Sequence, residues 1–175
     1  MMDKKDIKKT RRKWCKLLLI FALSHVLLFS CDSIDCTLNN VVSCNYAFYA
    51  SSSGTAITLN DTLTITTEGS DSILYNKGTK VSTLSLPMSY WQEADTLHFH
   101  LFNEETGLDT DIVIRVKKSN IQHFESPDCP TTMFHELQDV EFENVHGYVD
   151  SVVINSTSVN YASEENIKIY MHTDD

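Results

Sequence analysis

The stretch Leu97-His-Phe-His-Leu101 alternates apolar and polar side chains, and the stretch Asp111-Ile-Val-Ile-Arg-Val-Lys117 repeats this alternation further along the chain. Strict alternation is typical of a β-strand with one buried face, because successive side chains of a strand point to opposite sides. The residues between the two stretches, Asn103 to Asp109, include Gly107 and have the polar composition of a turn. The two stretches therefore predict an antiparallel hairpin whose apolar residues share one buried face.

Short alternating stretches continue on both sides of this hairpin. They comprise residues 46–50, 63–65, 73–75, 81–86, 133–137, 140–142, 149–154 and 167–171. A turn is expected at Asn76 to Thr79, where Gly78 can adopt a positive φ. Residues 31–175 contain no sustained apolar stripe with the 3.6-residue period of a helix. About nine short strands predict an all-β fold, an antiparallel β-sandwich of the immunoglobulin-like or transthyretin-like kind.

The N-terminal segment differs in composition from the rest of the chain. Basic residues up to Lys16 are followed by an apolar run, Leu17 to Phe29. As a helix this run would measure about 20 Å, which is shorter than the roughly 30 Å core of a bilayer. A basic stretch before a short apolar run is typical of a signal peptide, so residues 1–30 are interpreted as one.

The end of the apolar run, Leu28-Phe-Ser-Cys31, resembles the bacterial lipobox. The resemblance implies that Cys31 carries a diacylglyceryl group, usually with an acylated amine, so that palmitate-type chains anchor the protein to a membrane. A signal-anchor helix, or secretion after cleavage elsewhere, remains the alternative. The predicted organisation is a signal peptide at 1–30, a tether at 31–44 and a single β-sandwich domain at 45–175.

The charge of the predicted mature chain is strongly negative. The chain has 14 basic and 24 acidic residues, of which residues 1–30 hold eight and two, so that residues 31–175 carry a net charge of −16. Such a domain repels phosphate backbones, because nucleic-acid affinity comes largely from cations that displace counterions. Nucleic acid is therefore excluded as an expected partner.

The cysteines favour one structural disulfide. Cys15 lies in the predicted signal peptide and Cys31 is the predicted lipidation site, which leaves Cys36, Cys44 and Cys129. The favoured pair is Cys36 with Cys129, which closes a loop of about 90 residues and ties the tether to the domain. Pairing of Cys36 with Cys44 is the local alternative.

Two groups of residues are candidates for metal binding. His98 and His100 share one face of a predicted strand and could chelate zinc with a third ligand, but the expected cross-strand neighbours Arg115 and Lys117 oppose a cation. The acidic turn at residues 104–111 could bind calcium, although it lacks the ligand spacing of a calcium loop. Neither group predicts a resident metal, and no cofactor is expected.

Catalysis is not expected either. The chain has no G-x-S-x-G motif and only five glycines, too few for a glycine cluster around an oxyanion hole. Cys129 with His123 or His135 could imitate a cysteine nucleophile and its base, but a disulfide is the better explanation of Cys129. The aromatic pair Tyr90-Trp91, in a predicted loop, could bind a partner or cap the sandwich core.

Four segments resemble a family of small Bacteroidota-type lipoproteins known as a domain of unknown function. These segments are Cys31-Asp-Ser-Ile-Asp-Cys-Thr-Leu-Asn-Asn40, Leu84-Ser-Leu-Pro-Met-Ser-Tyr90, His123-Phe-Glu-Ser-Pro-Asp-Cys129 and Asp150-Ser-Val-Val-Ile-Asn155. The resemblance covers essentially the whole predicted mature chain. It implies a cell-envelope β-domain and agrees with pairing Cys36 and Cys129, but it implies no activity. Asp32 and Asp35 loosely fit export to the cell surface in such bacteria.

The expected function is that of a cell-envelope lipoprotein, anchored to the outer membrane on its periplasmic or its surface face. Its domain is expected to bind an envelope protein or a glycan, or to support an assembly, without catalysis. The alternative is a metal-dependent module, catalytic or sensing, that uses zinc or calcium at His98 and His100 or at the 104–111 turn.

Overall fold

The computed structural model describes residue 36 and residues 41–70, 72–144 and 146–172. Cys31 and the predicted signal peptide lie outside this range. The described residues contain ten strands and no helix. The strands are β1 (Ser43–Ala50), β2 (Thr62–Thr67), β3 (Ile73–Gly78), β4 (Thr83–Pro87), β5 (Ala94–Asn103), β6 (Leu108–His123), β7 (Thr132–Asn144), β8 (Val149–Ile154), β9 (Ser158–Val159) and β10 (Ile167–Met171).

These strands form two sheets that pack as a sandwich. The smaller sheet has the order β4-β1-β10-β8, and the larger sheet has the order β3-β2-β5-β6-β7-β9. The all-β sandwich predicted from the sequence is thus confirmed, and all but one of the strand pairs in the described part of the chain are antiparallel. Strands β1 and β10 pair in parallel, with Tyr46 opposite Ile167. Alternation could not show this, because it reports which face is buried and not the direction of the neighbouring strand.

The core lies between the inner faces of the two sheets. Tyr46 and Phe48 on β1 are buried, as are Leu97 and Phe99 on β5. The rings of Tyr46 and Phe99 approach with their centroids 6.0 Å apart, in a tilted arrangement that joins the two sheets. Burial of both inner faces against each other is the main source of stability in such a fold, since it removes apolar area from water.

The hairpin predicted from the sequence is formed by β5 and β6. Phe99 pairs with Ile112 across the hairpin, and both residues are buried. The connecting turn starts at Asn103, whose side-chain oxygen accepts hydrogen bonds from the backbone N–H groups of Glu105 (3.0 Å) and Thr106 (3.3 Å). Gly107 has a φ of 69°, a conformation that glycine adopts without steric cost.

Residues 133–142 form part of one strand and not two. Strand β7 is continuous, but its pairing with β6 shifts register between Lys117 and Lys118. The shift leaves Gln138 and Asp139 both exposed, after which the inward alternation resumes at Val140. A bulge of this kind inserts one extra residue into a ladder without ending the strand. The sequence predicts two strands, 133–137 and 140–142, because the alternation is broken between them. This prediction is wrong, since the break is a bulge within one strand.

The predicted turn at Asn76 to Thr79 is also placed differently. Gly78 belongs to β3, where it pairs with Leu63, and the positive φ values lie at Lys77 (48°) and Lys80 (57°). A Cβ atom on Gly78 would collide with the ring of Tyr75. Glycine at this position allows close approach of an aromatic ring and does not supply a positive φ.

The domain begins earlier than its predicted start at residue 45. Strand β1 starts at Ser43, and both Val42 and Cys44 are buried. Val42 and Cys44 lie four and two residues before Tyr46 and therefore point to the same, inner side of the strand. The alternation of β1 thus extends back into the predicted tether 31–44. Val42 and Cys44, which lie in the predicted tether, therefore contribute to the core.

Substitution of the central core aromatic provides a test of this packing. Phe99→Ala is expected to lower the free energy of unfolding by about 3–5 kcal/mol, because it removes a buried ring and leaves a cavity. Phe102→Ala, on the same strand but 42% exposed, should cost about 1 kcal/mol or less. Urea unfolding followed by circular dichroism measures both, and equal losses would contradict the assigned faces.

Candidate functional site

A disulfide joins the start of the described chain to the loop between β6 and β7. The Sγ atoms of Cys36 and Cys129 are 2.17 Å apart and their Cα atoms 5.5 Å apart, at a sequence separation of 93. Cys44 is a free, buried thiol, so the alternative pair Cys36–Cys44 is not formed. The structure therefore contains the favoured pairing. In the chain-entropy model a loop of this length contributes about 4–5 kcal/mol of stability.

We call the end of the sandwich that carries this bond the disulfide end. It comprises the start of β1, the β4–β5 connection (residues 88–93) and the β6–β7 connection (residues 124–131). The opposite end carries the β5–β6 turn. Since Cys31 lies five residues before Cys36, the disulfide end is the end of the domain that is covalently closest to the predicted lipidation site.

The aromatic pair predicted to bind a partner lies at the disulfide end, in the β4–β5 connection. Tyr90 is half-buried, whereas Trp91 is 81% exposed. The sequence correctly placed the pair in a loop, but only Trp91 is positioned mainly in solvent. The alternative prediction was that both rings cap the core. It does not hold for Trp91, because most of its side chain is exposed.

Two further exposed apolar side chains belong to the same end of the sandwich as Trp91. The backbone carbonyl of Gln92 accepts a hydrogen bond from the side-chain amide of Asn120 (3.0 Å). This bond joins the β4–β5 connection, directly after Trp91, to β6, directly before Ile121. Ile121 is 50% exposed and Phe124, at the start of the disulfide loop, is 64% exposed. We call Trp91, Ile121 and Phe124 the Trp91 patch. Exposed apolar side chains at one end of a domain are candidates for an interaction surface.

The histidines predicted as zinc candidates lie on the outer face of the larger sheet. His98 and His100 alternate with buried residues and do share a face, as expected. Their cross-strand neighbours on β6, however, are Val113 and Asp111. The expectation that Arg115 and Lys117 lie beside them is wrong, because the register of the hairpin places those cations opposite Thr96 and Ala94.

Both ring nitrogens of His100 face carboxylates of the acidic turn. Nδ1 lies 3.1 Å from Asp111 and Nε2 lies 3.7 Å from Asp109. These groups, with Glu104 and Glu105, are exposed or half-exposed. Among the residues that the structure describes, no group of three or more His, Cys, Asp or Glu side chains is arranged to hold a metal ion. Nor do the described residues include a helix long and apolar enough to cross a membrane.

A depression of about 550 Å³ lies on the same outer face, beside Thr96 and Arg115. The guanidinium of Arg115 lies 3.5 Å from Glu141, and Lys117 contacts both Glu141 and Asp139. The cations at this depression are therefore already paired with carboxylates. The arrangement is that of a solvated, mixed-charge sheet face.

The sequence interpretation missed a buried polar network at the disulfide end of the core. At its centre is Lys118, which is only 1% exposed. Its ammonium donates to the backbone carbonyls of Ser89 (2.6 Å) and Gln92 (2.8 Å) and to the side-chain oxygen of Asn120 (2.9 Å). The hydroxyl of Ser89 is a further acceptor at 3.3 Å, so oxygens surround all three N–H donors of the ammonium group. The charge of Lys118 is thus solvated by the protein instead of by water.

Asp95 supplies the opposite charge. Its carboxylate lies 3.7 Å from the Lys118 ammonium and is itself buried. The carboxylate also accepts hydrogen bonds from the backbone N–H (3.2 Å) and the hydroxyl of Ser89. Burial lowers the pKa of Lys118, and the neighbouring Asp95 partly opposes this shift. The pair and its hydrogen bonds connect the β4–β5 connection to β5 and β6.

His135 on β7 completes the network. Its Nδ1 lies 2.8 Å from the side-chain oxygen of Asn120, whose amide nitrogen is turned toward Gln92. Because an oxygen accepts at this contact, Nδ1 carries the proton and Nε2 presents a lone pair. Nε2 is buried and has no hydrogen-bond partner among the described residues. Burial, with a smaller effect of the Lys118 charge, lowers the pKa of His135 to about 4.

Cys44 and Tyr46 on β1 lie near the same charges. Burial raises the pKa of Cys44 to about 12, and it raises the pKa of Tyr46 well above its ordinary range. Asp95 contributes to both shifts through its negative charge. A thiol with such a pKa is not a nucleophile near neutral pH, because the reactive species is the thiolate. With Cys129 held in the disulfide, neither cysteine offers a thiolate here.

A sequence signal for this network existed. Lys118 has the same parity as Ile114 and Val116 on β6, and Asp95 has the same parity as Leu97 on β5. If the first strand of the predicted hairpin is extended back to Asp95 and the second is extended forward to Lys118, the alternation places both charges in the core. The prediction ended at Lys117 because charged residues usually mark the solvent face, and propensity alone cannot reveal a partner on another strand.

Removal of the buried counter-charge tests the role of the network. Asp95→Asn keeps the shape of the side chain but leaves the Lys118 ammonium without its carboxylate, so the free energy of unfolding should fall by about 3 kcal/mol or more. The double variant Asp95→Asn with Lys118→Met should recover part of this loss. Lys117→Met, at the adjacent half-buried position on the outer face, is the matched control and should have little effect, because its ion pairs are open to solvent. An Asp95→Asn protein as stable as the wild type would contradict the pairing.

His135 predicts a specific loss of stability in acid. Its pKa is about 4 in the folded chain and 6.5 ordinarily, so the unfolded chain binds the proton more readily. Stability is therefore lost as the pH falls from about 6.5 through about 4, by about 3 kcal/mol in total. Urea unfolding at several pH values should show this slope in the wild type and in Met133→Leu, the neighbouring buried control. A His135→Leu protein that retains the full slope would disprove the assignment.

Comparison with known proteins places the chain in a family. A family described as a family of unknown function (DUF6452) matches residues 62–171, which comprise β2 to β10 and include Cys129. No curated protein matches the chain. No solved structure matches it. The expected resemblance to a family without an assigned activity is confirmed at this level, and because the match covers more than half of the sequence, the chain belongs to the family of unknown function DUF6452.

Proposed function

We propose that this protein is a lipid-anchored module of the cell envelope, attached to the outer membrane through Cys31, whose β-sandwich binds a partner and does not catalyse a reaction. The proposal joins two features. One is the N-terminal segment with its short apolar run before Cys31. The other is a compact β-domain that is tied by a disulfide to the residues immediately after that cysteine.

The observation that carries the proposal is the Cys36–Cys129 disulfide. Disulfides persist in oxidising compartments, so a bond between these residues supports export from the cytoplasm. The bond lies five residues after Cys31, and five residues span at most about 18 Å of extended chain. A lipid on Cys31 would therefore hold the disulfide end of the domain within about 18 Å of the membrane.

The distribution of reactive groups supports binding over catalysis. The Cys129 sulfur is bonded to Cys36, the Cys44 thiol is buried, and His135 is buried among other polar groups. General acid–base and nucleophilic catalysis need such groups within reach of a substrate. The features that face solvent are instead the exposed apolar side chains of the disulfide end and the mixed-charge sheet surfaces, and the sheet surfaces suit recognition of an envelope protein or a glycan.

Replacement of the predicted lipidated cysteine tests the anchor. In a Gram-negative host the wild-type chain should fractionate with membranes, and intact-mass measurement should show cleavage before Cys31 and the added mass of its acyl groups. Cys31→Ser should lose the acyl mass and leave the membrane fraction. Cys15→Ser, within the predicted signal peptide, is the control and should be processed normally. A wild-type chain without acyl mass would refute the proposal.

A further inference from the structure

We infer that the Trp91 patch is a membrane-contact surface, which inserts into the headgroup region of the same bilayer that anchors Cys31. The inference rests on the proposed lipid anchor and names the occupant of the exposed surface at the disulfide end. It assigns a lipid surface, and not a protein partner, to Trp91, Ile121 and Phe124.

The first argument is covalent proximity. Phe124 lies five residues before Cys129 in the loop that the disulfide holds. Cys129 is bonded to Cys36, and Cys36 lies five residues after Cys31. The chain between the anchor and the bond is too short, at about 18 Å, for the domain to move far from the bilayer. The surface that meets the membrane is therefore the surface around Cys36 and Cys129.

The second argument is the chemistry of the exposed side chains. Trp91 is 81% exposed, an unusual position for the largest apolar side chain of the domain. Indole has an apolar body and a polar N–H, and for this reason tryptophan concentrates at the boundary between headgroups and hydrocarbon. Phe124 and Ile121 supply apolar surface that could enter the boundary beside it.

The charges around the patch determine which lipids it fits. Glu93 and Asp128, which follow Trp91 and Phe124 within four residues, are exposed, whereas the ammonium of Lys118 is buried. Anionic headgroups would repel these carboxylates, while zwitterionic headgroups would not. The proposed ligand is therefore a zwitterionic phospholipid surface, and contact should weaken as the content of anionic lipid rises.

This orientation directs the rest of the domain away from the bilayer. Strands β5 and β6 run from the disulfide end to the acidic turn that contains Glu104, Glu105 and Asp109. A ten-residue strand such as β5 is about 33 Å long. The turn would thus stand well clear of the membrane, where its negative charge is solvated.

Tryptophan fluorescence offers a direct test. The chain has two tryptophans, Trp14 and Trp91. Cleavage before Cys31 removes Trp14, so that Trp91 is the only tryptophan of the mature protein. The lipidated protein would be reconstituted into phosphatidylcholine vesicles with bromine near the top of the acyl chains. We expect Trp91 emission to fall by about twofold or more relative to unbrominated vesicles, as for an interfacial tryptophan.

A control places the reporter at the other end of the domain. In the variant Trp91→Phe with Phe102→Trp, the only tryptophan lies at the far end of β5, at a position that is 42% exposed in the wild type. Its emission should be nearly the same in both kinds of vesicle. A second variant, Ile121→Ser with Phe124→Ser, should reduce the quenching of Trp91, and replacement of half of the lipid by phosphatidylglycerol should reduce it as well.

The outcomes separate the inference from the proposal on which it rests. A mature chain without acyl mass overturns both. A lipidated protein whose Trp91 emission does not respond to bromine overturns the inference and leaves the anchor intact. The inference is also overturned if the tryptophan introduced at position 102 is quenched as strongly as Trp91, or if Trp91 instead cross-links to an envelope protein.

Discussion

Burial of the inner faces of the two sheets against each other is the constraint on which the rest of this structure depends. Because side chains of a strand alternate with a strict period of two, one buried residue determines the side on which every other residue of an unbroken strand lies. On β6 the parity that places Ile114 in the core also places Lys118 there. On β5 the parity that buries Phe99 also buries Asp95. The buried charges at the disulfide end follow from the core pattern being continued beyond its last apolar residue.

Such charges are tolerated only where the protein replaces the water that they lose. The Lys118 ammonium is surrounded by carbonyls from the β4–β5 connection, by Asn120 and by the Asp95 carboxylate. These contacts hold a connection without regular secondary structure against the two central strands of the larger sheet. They therefore also determine where Trp91 is presented. The network has a structural role that reaches the surface, and His135, with an acceptor that lacks a partner among the described residues, is its pH-sensitive member.

The functional organisation that we propose places different properties at the two ends of the sandwich. The disulfide end combines the covalent link to Cys36 with exposed apolar side chains, and the opposite end carries an acidic turn. Hydrophobic contact and a lipid anchor act in the same direction at the first end, because a short covalent tether greatly raises the local concentration of the membrane. A net charge of −16 on residues 31–175 would keep the remaining surface in solution.

By itself, the sequence determined the all-β class and the β5–β6 hairpin, because alternation and turn residues are local signals. It favoured Cys36 as the partner of Cys129 but left the pair Cys36–Cys44 open, and the folded structure decided between them. The sequence also predicted the loop position of Trp91. The parallel pairing of β1 with β10, the bulge opposite Lys118 and the glycine beneath Tyr75 were decided only in the tertiary structure, since each depends on residues distant in sequence. The same holds for the buried site. Lys118 and Asp95 are ordinary surface residues by composition, and only contacts among three connected strands and a loop make their burial favourable.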